Sequence, residues 1–232
     1  MKVSLVSITQ SVINGTDLSA EELLVYIARV SNPSNQLNTE TADRLIRFLI
    51  KNKHWSPFDM VNMTIEVTTS RAIAAQILRH WSIKPQEFSQ RYAEATGYEP
   101  IQFRLKGDTN RQGSKDPVGG IDISNGASWA DLHYEYDYGE LISRAAHLMK
   151  EVDKLYKDML KSNIAPECAR FILPLATQTT LYLNGSVRSW IHYLEQRTSN
   201  HAQLEHRLIA KETEKIFQQQ FPNVYKAILN EG

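Results

Sequence analysis

The strongest constraint on this chain is a pattern of strands that run into helices. The stretch "VNMTIEVTTS", from Val61 to Ser70, has the β-branched enrichment of a strand, and "RAIAAQILRH" follows at once with helical spacing. Farther on, "TTLYLN" is strand-like, Gly185 makes a turn, and "SVRSWIHYLEQR" is helical again. A chain that alternates the two periods needs a sheet with helices packed on it, so the expected class is mixed α and β.

The rest of the map follows from the same periodicities. "MKVSLVSIT" alternates like a half-buried strand, and "SAEELLVYIARV" opens with acidic residues before helical spacing. "TETADRLIRFLIKN" is an amphipathic helix with Leu45, Ile46, Phe48 and Leu49 on or near its apolar face. From Gly97 to about Ala127 the text is glycine-rich and irregular, which predicts a long loop of the kind that is usually functional or disordered. Helix is expected to resume from about Ala130 to Asn163, weakened at Gly139. Pro166 suits the first turn of a short helix that Pro174 ends, and "NHAQLEHRLIAKETEKIFQQQF" is a last helix.

Composition bounds the function. A length of 232 residues with 42% hydrophobic and 22% charged side chains fits one globular domain, residues 1–232. Lys and Arg total 26 and so do Asp and Glu, so no overall field favours nucleic acid or an anionic membrane, and an anionic ligand must meet a local cation cluster. No apolar run reaches the roughly 20 residues of a membrane span, and the opening segment is too short and polar for a secretory signal, so a cytoplasmic protein is expected. The single cysteine, Cys168, fits a reducing compartment. Its apolar neighbours in "PECARFILP" predict a buried packing thiol and not a nucleophile.

Common catalytic signatures are missing: there is no Gly-x-Gly-x-x-Gly turn, no phosphate-binding loop and no Cys-x-x-Cys. His201 and His206 are five apart, whereas two ligands on one helical face need three or four, so no metal is expected. The arginines say more. Gln76 and Arg79 are expected to share one helical face, Arg188 and His192 another, with Arg91, Arg170 and Arg197 at element ends. A planar guanidinium meets phosphate or a pyrimidine carbonyl edge with two parallel donors, so a cluster of them suits a nucleotide. Taken singly, each is better explained as a solvated helix-end charge.

The stretch "RHWSIKPQEFSQRY", Arg79 to Tyr92, has Pro85 where a helix cannot continue and reads as a helix end entering a loop. It resembles the signature of the flavin-dependent thymidylate synthases, in which Arg-His-Arg is followed after seven residues by Ser. Arg79, His80, Glu87, Ser89, Arg91 and Tyr92 match in spacing. The likeness extends to "ARVS" ending at Ser31, "HWSPFD" from His54, "ARFILPL" from Ala169, "VRSW", and "RTSNHAQLE" from Arg197.

The resemblance implies an α/β (α+β) fold with a mixed or antiparallel sheet flanked by helices and no Rossmann turn. It implies reductive methylation of dUMP to dTMP, with 5,10-methylenetetrahydrofolate as carbon donor, NADPH as reductant of FAD, and homotetramers with active sites at subunit junctions. By the same likeness Ser31, His54, Ser56, Arg79, His80, Trp81, Glu87, Ser186, Arg188, His192 and His201 fall at cofactor positions. Gln76, Arg79, Glu87, Phe88, Ser89, Gln90, Arg91, Arg170 and Arg197 fall at dUMP positions, with Arg197 and Ser89 as the catalytic pair. Arg197 matches the arginine that favours ionised uracil N3, and Ser89 is a positioning hydroxyl. Three positions depart from the family: Trp81 replaces the third residue of Arg-His-Arg, and Lys84 and Gln86 stand for its Ser and Asn. An indole can substitute stacking for charge. Two alternatives therefore stay open, a dUMP hydroxymethylase and a catalytically impaired nucleotide-binding homologue.

Overall fold

The computed structural model describes residues 1–95, 97–108, 113–124, 127–130 and 138–229. They fall into two compact units: Lys2–Val67, Ile77–Gln86 and Leu181–Gly232 form one, and Met1, Thr68–Gln76 and Glu87–Thr180 form the other. The strand order in the larger of two sheets is β1 (Lys2–Ile8), β2 (Asn62–Ser70), β7 (Gln178–Ser186), β3 (Lys84–Glu87). In β2 the alternation is complete: Met63, Ile65, Val67 and Thr69 are buried and the residues between them are not. β3 lies where a loop is expected. Its edge position explains how a strand tolerates Pro85, whose missing N–H has no ladder to serve on the open side.

The first unit is built on helices. α1 (Ala20–Ala28) starts from a capping box, with Glu22 N–H donating to Ser19 Oγ at 3.2 Å and Ser19 N–H to Glu22 Oε2 at 2.8 Å. α2 (Ala42–Lys51) buries Ile46, Leu49 and Ile50, while Phe48, expected on that face, is exposed. α6 (Val187–Arg197) forms as the periodicity predicts, α7 (Leu204–Gln220) starts four residues later than expected because residues 200–202 make a turn, and α8 (Pro222–Leu229) completes the unit. The N-terminus of α8 is met by Glu21, whose buried carboxylate accepts from Val224 N–H and Asn223 Nδ2, both at 2.8 Å. Burial pushes that carboxyl above its ordinary range.

The second unit corrects the expected loop. The described residues of 101–130 contribute a three-stranded antiparallel sheet, β4 (Ile101–Lys106), β5 (Ser114–Asp122) and β6 (Ala127–Ala130), with Ile101 opposite Ile121 and Gly120 opposite Trp129. Ile101, Phe103 and Ile121 pack with Ile142, Ala146 and Met149 of α4 (Tyr138–Lys161), and that shared core selects strand over loop. β5 tolerates Pro117 because β6 pairs only with Gly119–Asp122, and the register shifts where Pro117 faces Arg104. Gly119 has φ 141°, a conformation that side chains rarely adopt. The helix expected from Ala130 starts at Tyr138, and residues 131–137 of that expectation lie outside the described residues. α3 (Arg71–Ile77) buries Ile73 and Ile77 as expected but stops before Arg79, which lies in the following turn and not on the helical face of Gln76. α5 (Pro166–Ala169) leads into a 3-10 turn, Arg170–Ile172. Cys168 is exposed there, against expectation: Ala169 is the residue that this short helix buries.

Candidate active site

α6 is the main scaffold of the site in the first unit. Ser186 caps it by accepting from Ser189 N–H at 3.2 Å. Gly185 lets the helix start so close to the core: a Cβ there would sit 3.2 Å from Trp190 Nε1 and 3.3 Å from Ile83 Cγ1. Trp190 is fully buried and donates to the Met63 carbonyl at 3.0 Å, which fixes the rotation of the helix. The opposite face then turns Arg188 and His192 outward, as their four-residue spacing predicts.

Asp59 organises this face. It accepts from Ser186 Oγ at 2.9 Å and from Arg188 Nη1 at 3.1 Å. It belongs to a 3-10 turn, Ser56–Asp59, that Ser56 opens. Trp55, Asp59, Trp81, Arg188, His192 and Glu195 line a cavity of about 570 Å³. Trp81 is 84% exposed and offers its indole to that cavity. His54 is exposed two residues before Ser56, with its ring edge-on to Phe48 at 5.9 Å.

Behind this face lies a buried polar cluster. Arg197, the last residue of α6, donates from Nε to His80 Nε2 at 2.7 Å. The His80 ring meets Tyr193 edge-on at 5.0 Å and His206 at 6.1 Å, and Tyr193 Oη lies 3.2 Å from His206 Nε2. Burial, with the Arg197 and His192 charges, pushes His80 down to about 4. Burial, Arg197 and His80 push His206 down to about 3. Burial holds the Tyr193 hydroxyl protonated far above its ordinary range. Both imidazoles are therefore neutral at pH 7, and Arg197 is the cation of the cluster.

The second unit gathers the other expected residues. Glu87 pairs with Arg71 and accepts from Thr179 Oγ1 at 3.0 Å, so its carboxylate is fixed before any ligand arrives. Phe88 N–H donates to the Thr180 carbonyl at 2.9 Å, which carries the end of β3 into the turn of Ser89, Gln90 and Arg91. Ser89 Oγ accepts from Arg91 N–H at 3.3 Å. Gln90 is buried, and its Nε2 has no hydrogen-bond partner among the described residues. Arg91 Nε donates to Glu167 at 3.4 Å, and Arg170 Nε to the Glu167 carbonyl at 3.3 Å. Gln76 is half-buried at the end of α3.

Not every expected residue joins a cluster. Arg79, Ser31 and His201 are exposed in turns of the first unit, and no hydrogen bond described for them reaches the side chains above. Three residues that sequence reasoning missed are central instead. Asp59 closes the quoted "HWSPFD" and was detectable as its one carboxylate. Tyr193 and His206 give no local signal, because their contact joins separate helices. Among the described residues, no group of three His, Cys, Asp or Glu side chains could hold a metal ion.

The chain is thus an α+β protein without a Rossmann turn, and its first unit lines a cavity with the Trp81 indole, the His192 imidazole and the Arg188 guanidinium. Comparison with known proteins makes the class specific. The family model "Thymidylate synthase complementing protein" matches residues 12–223. A probable flavin-dependent thymidylate synthase of Paramecium bursaria Chlorella virus 1 is 45% identical over 98% of this chain and 99% of its own length. The flavin-dependent thymidylate synthase of Synechocystis sp. is 44% identical over 98% and 99%. Among solved structures, a UMP/dUMP methylase, PolB from Streptomyces cacaoi bound with 5-Br dUMP, superposes with TM-score 0.74 at 26% identity, over 99% of this chain and 94% of that one. The chain belongs to the flavin-dependent thymidylate synthase family.

Proposed function

We propose that this chain catalyses the reductive methylation of dUMP to dTMP with bound FAD, 5,10-methylenetetrahydrofolate as carbon donor and NADPH as reductant. Residues 1–232 act as one catalytic domain, in the cytoplasm, as a homotetramer whose active sites lie at subunit junctions. The observation that carries the reading is Arg197: its Nε is held by His80, and neither terminal nitrogen has a partner among the described residues. A fixed cation of this kind stabilises negative charge developing on a uracil ring, since it needs no reorganisation when the charge appears.

The residues fit a flavin. A cavity of about 570 Å³ lies within the range of small-molecule sites and offers an indole, an imidazole and a guanidinium to a large anionic heterocycle. Trp81, Arg188, His192 and Ser186 would hold it, together with Ser31, His54, Ser56, Arg79, His80, Glu87 and His201 as the family likeness assigns them. When bound and reduced by NADPH, the flavin would supply the two electrons that take the transferred carbon to the methyl level. For dUMP, Arg91 and Arg170 offer positive charge, Ser89 positions the ring, Glu87 arrives preoriented by Arg71 and Thr179, and Gln76, Arg79 and Phe88 complete the set. Gln90 adds a buried amide donor; such a group left without a partner costs about 1–3 kcal/mol, which a ligand acceptor would recover. No thiolate is needed.

One anaerobic assay tests this. Protein, dUMP, methylenetetrahydrofolate, FAD and NADPH should give dTMP by mass. A hydroxymethyl product would reassign the chemistry, and bound dUMP and FAD without product would leave a nucleotide-binding homologue.

A further inference from the structure

An arginine side chain carries donors and no acceptor. The 2.7 Å contact from Arg197 Nε to His80 Nε2 therefore needs a lone pair on that nitrogen, which places the single proton of His80 on Nδ1. His80 is not free to choose another pose. Its backbone is pinned in a turn, with its N–H donating to the Ile77 carbonyl at 3.0 Å and its carbonyl accepting from Ile83 N–H at 2.9 Å. Its ring is boxed by Tyr193 and His206, which are joined at 3.2 Å and stand at 76° and 87° to it. Tyr193 and His206 are buried, so these rings have little room to turn.

With Nε taken, the guanidinium has one two-pronged edge left, Nη1 and Nη2. We propose that His80 is a positioning residue for Arg197, taking Nε so that both terminal nitrogens are aimed as a fork at the pyrimidine edge, with Tyr193 and His206 holding the ring that does this. This rests on the reading of Arg197 as the arginine that meets uracil. It assigns Tyr193 and His206 to the reaction although neither touches the substrate. It also explains why the acceptor is an imidazole and not a carboxylate: a neutral acceptor sets the direction of the guanidinium without cancelling its charge.

Two measurements on the FAD-loaded protein test this separately from the reading of function. Spectra of ¹⁵N-labelled histidine, with the His80 signals assigned by their loss in His80→Gln, should show a proton on Nδ1 and none on Nε2 at pH 7. The arrangement should be lost in Arg197→Lys. A protonated Nε2 overturns the proposal whether or not the protein makes dTMP.

The second is a cycle of His80→Phe and Arg197→Lys, read in kcat, KM for dUMP and flavin affinity. Each substitution should lower kcat by roughly 100-fold, and the double variant should be within about threefold of Arg197→Lys alone, because both remove one fork. His80→Gln, whose side-chain carbonyl can replace the acceptor, should recover kcat to within about tenfold of wild type, with KM little changed. Tyr193→Phe, which keeps the ring and removes the hydroxyl, should lower kcat about threefold at unchanged flavin affinity. Losses that add, or a His80→Gln variant no better than His80→Phe, overturn it. If the wild type binds dUMP without turnover, the cycle is read in dUMP dissociation constants, where each single substitution should weaken binding by no more than about tenfold and the double variant should match Arg197→Lys alone; losses that add overturn the proposal.

Discussion

Arg197 and Arg91 are both assigned to the nucleotide, and the protein holds them in opposite ways. Arg197 rests on a buried, neutral imidazole at 2.7 Å. Arg91 reaches an exposed carboxylate, Glu167, at 3.4 Å, with both side chains more than half exposed. The first contact sets direction and leaves the charge whole. The second offsets the charge, sets direction weakly, and is worth little in solvent. A reaction that develops negative charge on a ring needs the first kind at the ring, whereas attracting a dianionic nucleotide from solution needs only the second.

The sharpest way to break this contrast is Arg197→Lys. Lysine keeps the charge but lacks the planar fork, so dUMP affinity should stay within about tenfold while turnover falls by roughly 100-fold or more. Steady-state rates and single-turnover flavin oxidation on the folded variant measure this. Wild-type rates would reduce Arg197 to a helix C-terminal cation, worth under about 1 kcal/mol.

Acid tests the buried side next. His80 and His206 are pushed from an ordinary 6.5 to about 4 and about 3, so the folded protein binds fewer protons than the unfolded chain within that window. The sign follows: this stability is present in full above pH 6.5 and is lost as pH falls toward 4, at up to about 1.4 kcal/mol per pH unit per proton. Urea midpoints measured from pH 7.5 to 4.5 should fall toward acid, and His206→Gln should flatten the slope. An unchanged slope would mean that His206 is not held neutral.

The exposed side should respond more weakly. Arg91→Ala is expected to weaken dUMP binding about tenfold with kcat within about threefold, and the deficit should shrink as salt rises. Titration calorimetry at two ionic strengths would show it. An equal loss in kcat would place Arg91 beside Arg197 in kind and dissolve the contrast.

How much of this was legible in the sequence differs between the same two regions. The junctions "VTTSRA" and "NGSVRS" carry strand into helix where the periods change, because burial on one face writes itself into spacing. The fork on Arg197 was not legible, since it depends on His80, 117 positions away in sequence. In the second unit, glycines and Pro117 outweighed the alternation of Ile101 and Phe103 in "IQFRLK" and suggested a loop. The core shared with α4 decided otherwise, and no local pattern announces that core. Pro85 hid β3 in the same way, because only the strand order reveals that it sits at an edge.

The smallest expected effect belongs to Cys168. Its apolar neighbours suggest burial, but helix α5 is four residues long and turns Ala169 inward, which leaves the thiol exposed one residue before. Cys168→Ala should therefore cost almost no stability, under about 0.5 kcal/mol, in contrast to the cost of about 1 kcal/mol or more for a truncated buried side chain. Activity should stay within about twofold, since an arginine-stabilised ring anion and a flavin reductant leave no step for a thiolate. Melting temperature and turnover of the variant check both halves. A folded but inactive Cys168→Ala protein would return a covalent cysteine route, and the contrast between Arg197 and Arg91 would then concern binding alone.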